Sequence, residues 1–311
     1  MGNFVFLTSS LLALMNRRKF IESAGMIGAL TVLPLPFFSM TEKPKYKLGY
    51  QLYSIRDEMA KDPINTLKAL KGMGYEDFEH YGFDSGKGTY YGFDASEFKA
   101  LLDEMELSIS SGHYPFSDFL LKPDDALKRY VDSCIAGALT MNSRYITWPW
   151  IAPEFRNIEG FKKTAEKLNL MSEQIADAGL GLAYHNHGYE FDEHHGESGF
   201  DIIMKETDAS KVKIQLDMYW LARSSQYTPS ELINKQPGRF AMWHIKDMHK
   251  ESKDYTELGN GSIDYVKLLP DPTTSGLEYF YIEQGGNYTF NSLKSAEDSA
   301  NYFKKYLQRY L

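Results

Sequence analysis

Imidazoles and carboxylates collect at a few places along this 311-residue chain. Of its eight histidines, His80, His113, His185, His187 and His244 stand at or just beyond the ends of short β-rich runs. His194 and His195 follow the fifth such run, and His249 follows the seventh. Glu79, Glu190, Asp217, Asp247 and Glu283 fall in the same places. Imidazole nitrogens and carboxylate oxygens converging from different strands form a donor set for a hard-to-borderline divalent cation. The same side chains can take and return protons. The distribution therefore predicts a metal centre with acid–base groups beside it.

The elements that must position these residues are eight β-rich runs, at 48–54, 77–81, 108–113, 145–148, 180–185, 213–217, 240–245 and 279–283. Amphipathic stretches separate them, the pattern of a parallel sheet with crossover helices. Pro63 suits a first helical position, with Gly72 and Gly74 closing that helix. Asp94 and Glu97 have the spacing of a capping box. Residues 158–178 carry apolar side chains at helical spacing and meet a stop at Gly179. Eight strands close a barrel and leave no exposed edge. An open doubly wound sheet is disfavoured, because no glycine-rich phosphate loop follows the first run. The predicted fold is a single (β/α)8 TIM barrel over residues 46–311, whose strand C-terminal ends form the mouth.

A hydrophobic fraction of 43% and an aromatic fraction of 14% exclude global disorder. The net charge of −8 argues against a nucleic-acid partner, which clustered Lys and Arg would have to hold. Residues 1–40 read as an export leader: Arg17 and Arg18 precede a modest apolar run, 24–38, that is shorter than the ~20 residues of a membrane span. The segment resembles a twin-arginine leader, which implies a periplasmic protein with no stable membrane insertion after removal of the leader. Cys134 is the sole cysteine, so no internal disulfide forms.

Five motifs, in order, carry a family resemblance: GYQLYSIRDE (49–58), YHNHGYEF (184–191), QLDMYW (215–220), HIKDM (244–248) and YIEQ (281–284). From about residue 46 to its end the chain resembles the sugar phosphate isomerase/epimerase family of the xylose-isomerase-like barrel superfamily. Barrels of that superfamily include ketose epimerases, sugar isomerases, dehydratases and a metal-dependent endonuclease. The resemblance implies four metal ligands at the ends of the fifth to eighth strands, in the order Glu, Asp, His, Glu. The last three correspond to Asp217, His244 and Glu283. At the first, this chain has His185 in place of glutamate. Either His185 substitutes or Glu190 reaches back from its loop; the more rigid strand end favours His185. Two imidazoles and two carboxylates suit Mn, Zn, Fe or Co better than Mg.

The implied activity is a metal-dependent isomerase or epimerase working on a sugar or keto-sugar through a metal-stabilised enediolate. A lyase or hydrolase eliminating from a 3-keto-glycoside, or dehydrating a keto-polyol, shares that first step. A sugar-binding barrel without catalysis is the third reading. Glu79, Glu190 and His187 are the candidate bases; His113, Trp148 and Lys246 are the candidate substrate contacts. The expected partner is a small-molecule sugar or keto-glycoside, with self-association into a homo-oligomer left open.

Overall fold

The computed structural model describes residues 45–311; the leader expected over residues 1–40 lies outside them. Eight parallel strands close into a barrel. They are β1 Gly49–Gln51, β2 Asp77–His80, β3 Ser108–His113, β4 Tyr145–Trp148, β5 Gly181–His185, β6 Val212–Asp217, β7 Met242–Ile245 and β8 Tyr279–Ile282. Each strand pairs with its sequence neighbours, and β1 closes on β8 through Tyr50 and Ile282. Nearly every strand residue is buried, because helices cover the outside and side chains fill the inside. Among the described residues, no helix is long and apolar enough to cross a membrane.

The main covering helices are α1 Pro63–Gly72, α2 Ala95–Glu104, α3 Asp124–Met141, α4 Ile158–Asp177, α5 Gly199–Glu206, α6 Met218–Ser224, α7 Pro229–Lys235 and α8 Ser292–Tyr302. Their ends follow local chemistry. Pro63 opens α1, where the Asp62 carboxylate accepts from the Asn65 amide at 3.0 Å. Gly179, at φ 77°, supplies the left-handed turn after α4. The capping box expected at Asp94 does not form: Asp94 is the N-cap residue of α2, but its side chain makes no capping bond. Its residue types matched the pattern while the short strand pair Thr89–Tyr90 and Phe93–Asp94 dictates the entry into the helix.

Strand alternation decides which residues face the barrel axis. Ile146, Leu182, Tyr184, Phe280 and Ile282 join the large core between strands and helices. Tyr145, Ala183, Met242 and Tyr281, of opposite phase, form a separate small cluster inside the barrel. Bulk there needs glycine opposite. A Cβ on Gly181 would lie 2.3 Å from the Tyr145 ring, and one on Gly49 would lie 2.0 Å from the Phe280 carbonyl oxygen. Two residues above this apolar plug, the same inward columns carry His185, His244 and Glu283. The first run is shorter than expected: after Gln51 the chain turns into a 3-10 helix, Leu52–Ile55, fixed by the Tyr53 amide donating to Gln51 Oε1 at 3.0 Å.

Candidate metal centre

Four consecutive strands deliver four donors to one point. His185 ends β5, Asp217 ends β6, His244 lies in β7 and Glu283 follows β8. Their ligand atoms all lie within 4.8 Å of one another, and all four residues are buried. Asp217 does two jobs, since its Oδ1 also caps α6 by accepting from the Trp220 amide at 3.0 Å. His113, from β3, also brings a ring nitrogen within 4.8 Å of those of His185 and His244. Glu190 is not among these donors. Its Oε1 accepts from the Tyr184 hydroxyl at 2.6 Å and its Oε2 from the His187 amide at 2.9 Å.

Lys246 lies within the cluster. Its ammonium is 2.7 Å from Asp217 Oδ2 and 2.8 Å from Glu283 Oε2. Burial favours a neutral lysine, but those two carboxylates outweigh it and hold Lys246 above the usual lysine range. Burial likewise opposes ionisation of Glu283, yet Lys246 and His244 keep it well below the usual carboxylate range. Burial, reinforced by the charge of His244, holds His185 well below the usual imidazole range, so its ring is neutral and able to donate a lone pair. His244 is opposite in character. Against the cost of burial, Glu79 and Glu283 raise it to about 9.

The predicted bases and contacts separate clearly. Glu79 is fully buried, with its carboxylate accepting from Gln51 Nε2, Ser111 Oγ and Gln215 Nε2 at 2.6–2.7 Å and facing His244 Nε2 at 2.6 Å. No edge of it is left for a substrate proton. His187 is half-buried at the mouth, and its Nδ1 has no partner. Its ring lies edge-on to His185, with centroids 5.0 Å apart, and stacks on Tyr189. His113 reaches Gln215 Oε1 at 2.8 Å and Glu79 Oε2 at 2.9 Å through Nε2. Trp148 is fully buried; its indole donates to the Trp150 carbonyl at 2.8 Å and its ring packs on Phe116, so it forms wall rather than rim. Trp150, two residues on, is the exposed aromatic.

Asp247, grouped with the mouth carboxylates by sequence, ties down a loop instead. It accepts from the amides of Met248, Gly259, Gly261 and Ile263. Sequence reasoning missed Gln51, Ser111 and Gln215, which surround Glu79. The signal was there, since a glutamine within a buried strand needs a polar partner inside the barrel. It also missed Trp220, whose buried indole nitrogen has no partner and whose ring lies 5.6 Å from that of His187.

A closed parallel barrel with a four-donor cluster at the C-terminal ends of β5–β8 defines a class of mouth-centred barrel proteins. Residues 67–306 match the model of the xylose isomerase-like TIM barrel family, and the chain belongs to that family. A sugar phosphate isomerase/epimerase from Parabacteroides distasonis superposes with a TM-score of 0.72 at 26% identity, covering 89% of this chain and 99% of that one. An L-ribulose 3-epimerase superposes with a TM-score of 0.63 at 15% identity, covering 85% and 95%. The IolI protein, solved with a zinc atom bound, gives 0.62 at 14% identity, covering 85% and 99%. These last two likenesses are of fold. No curated protein matches the chain.

Proposed function

We propose that this protein is a divalent-metal-dependent isomerase or epimerase of a sugar or keto-sugar. The observation that carries the reading is the convergence of His185, Asp217, His244 and Glu283 within 4.8 Å at the barrel mouth. The donor chemistry fits a borderline divalent ion. The His185 Nδ1 atom has no hydrogen-bond partner, and neither does Asp217 Oδ2, which is met only by charge contacts, from the Lys246 ammonium at 2.7 Å and His185 Nε2 at 3.7 Å. Charge fits as well. With His244 acting as a neutral ligand, the carboxylates of Glu79, Asp217 and Glu283 exceed the single Lys246 cation by two. The names of the Parabacteroides protein and the ribulose epimerase support a sugar substrate.

A bound ion would supply Lewis acidity, polarising a carbonyl so that the neighbouring C–H becomes acidic. The chain's own residues do the rest. Lys246 offers a fixed cation to the negative charge that develops on substrate oxygen. Tyr265 holds its backbone from both sides, accepting from the Lys246 amide at 3.1 Å and donating to the Lys246 carbonyl at 2.5 Å. His187, with a free Nδ1 on the ring next to His185, takes and returns the substrate proton. Trp220 Nε1 donates to a sugar hydroxyl.

The test is incubation of metal-loaded protein with a panel of keto-sugars and a 3-keto-glucoside in deuterated water. Carbon-bound deuterium with altered configuration and no released group is the expected result. Release of water or an aglycone would instead identify elimination. Absence of exchange from every substrate would refute proton abstraction at this mouth.

A further inference from the structure

One carboxylate is more completely surrounded than any catalytic role requires. Glu79 ends up on the barrel axis through its pairing with Gln51 on one side and Ser111 on the other. Its Oε1 accepts from Ser111 Oγ at 2.6 Å and Gln215 Nε2 at 2.7 Å. Its Oε2 accepts from Gln51 Nε2 at 2.6 Å and lies 2.9 Å from His113 Nε2. The two amides cannot be turned round. Gln51 Oε1 accepts from the Tyr53 amide, so its NH2 faces Glu79 and, at 3.3 Å, His113 Nδ1; with Nδ1 accepting, His113 Nε2 carries the proton that Gln215 Oε1 accepts, and the Gln215 NH2 faces Glu79 as well. Glu79 is thus held as an acceptor. The remaining contact, to His244 Nε2 at 2.6 Å, therefore requires that His244 nitrogen to carry a proton.

The other His244 nitrogen faces the opposite way. Nδ1 lies 2.5 Å from Glu283 Oε2, inside the four-donor cluster. We infer that Glu79 is the positioning residue of the metal centre: it keeps the proton of His244 on Nε2 and so makes Nδ1 the metal-ligating atom. A carboxylate behind a ligating imidazole fixes its tautomer and orientation and makes it a better donor. Gln51, Ser111, Gln215 and His113 in turn fix the carboxylate, linking β1, β3 and β6 to a ligand on β7. The inference rests on the metal-dependent reading of the site.

The decisive experiment uses full-length protein with 15N-labelled histidine, loaded with Zn2+. Long-range proton–nitrogen correlation spectra distinguish a protonated Nε2 from a protonated Nδ1, and the His244 signals are those missing from His244→Gln. Zinc on Nδ1 with the proton on Nε2 is expected. In parallel, calorimetry should show Glu79→Gln binding Zn2+ about 10–100-fold more weakly. Ser143→Ala, which removes a buried hydrogen bond at the far end of β4, serves as the destabilised control and should keep wild-type affinity. A merely structural Glu79 would lower the melting temperature of Glu79→Gln and leave zinc affinity unchanged, which overturns the inference. Should that variant fail to fold, the wild-type spectrum decides alone: zinc on Nε2 overturns it equally. Wild-type protein that binds no zinc overturns the proposed function itself, a result distinguishable from either of these.

Discussion

Replacing Asp217 by asparagine removes one charge from a buried pair while keeping the side chain's shape. In metal-free protein Asp217 Oδ2 is 2.7 Å from Lys246 Nζ, with both side chains almost fully buried. Removing one member of such a pair costs about 3–5 kcal/mol, because the other is left as a buried charge. Lys246 still has Glu283 at 2.8 Å, which puts the expected loss near the lower end, about 3 kcal/mol. The amide oxygen of the introduced asparagine can continue to cap α6 as Oδ1 of Asp217 does now. Asp217→Ala should therefore lose about 1 kcal/mol more, the usual contribution of an N-cap. Urea unfolding of chelator-treated wild type and both variants at neutral pH measures the two steps separately. An asparagine variant within about 1 kcal/mol of wild type would refute the buried pair, given the range for such pairs. Equal losses for the asparagine and alanine variants would refute the capping role.

Further outcomes follow from the same geometry. His244 titrates near 9 in the folded protein, against 6.5 when unfolded. Its stabilisation is then complete below pH 6.5 and lost as pH rises through 9, a fall of about 3 kcal/mol in metal-free protein that His244→Gln should flatten. His80, pushed down to about 3 by burial, has the opposite sign. Stability is lost as pH falls from 6.5 towards 3, and urea midpoints of His80→Gln should fall less over that range. Trp220→Phe removes the unpartnered indole nitrogen and should raise KM for a sugar with little change in melting temperature; unchanged KM would exclude the hydroxyl contact. Gly49→Ala places a methyl group 2.0 Å from a β8 carbonyl, which cannot move aside within a closed barrel. Loss of about 3 kcal/mol or more in denaturant unfolding is expected.

The fold was legible because parallel-barrel strands are short, apolar and regularly spaced. The expected runs 108–113 and 145–148 coincide with β3 and β4. Errors fell where a local bond overrides propensity, as at Gln51, whose side chain starts a 3-10 turn three residues before the expected run 48–54 stops. Clustering of His and carboxylate residues at strand ends pointed to the mouth, since the C-terminal ends of all eight strands meet there. Orientation was not legible. Glu79, in β2, and Glu190, in the turn after β5, carry the same group, yet one sits on the barrel axis and the other is bonded to the Tyr184 hydroxyl in the wall. Nor did the residue type of Trp148 reveal that Trp150, two positions on, is the exposed ring. Sequence spacing specifies which strand end a residue occupies, whereas which partner satisfies it depends on contacts more than a hundred residues away, as between Glu79 and His244.

The most direct test of the account is the metal content of purified protein, measured by mass spectrometry after exposure to Mn2+ or Zn2+ and removal of excess ion. One ion per chain in wild type, and near none in Glu283→Gln, is the predicted result, since that substitution withdraws a ligand charge from the four-donor cluster. A wild-type protein that retains no ion, or a Glu283→Gln variant that retains as much as wild type, would contradict it.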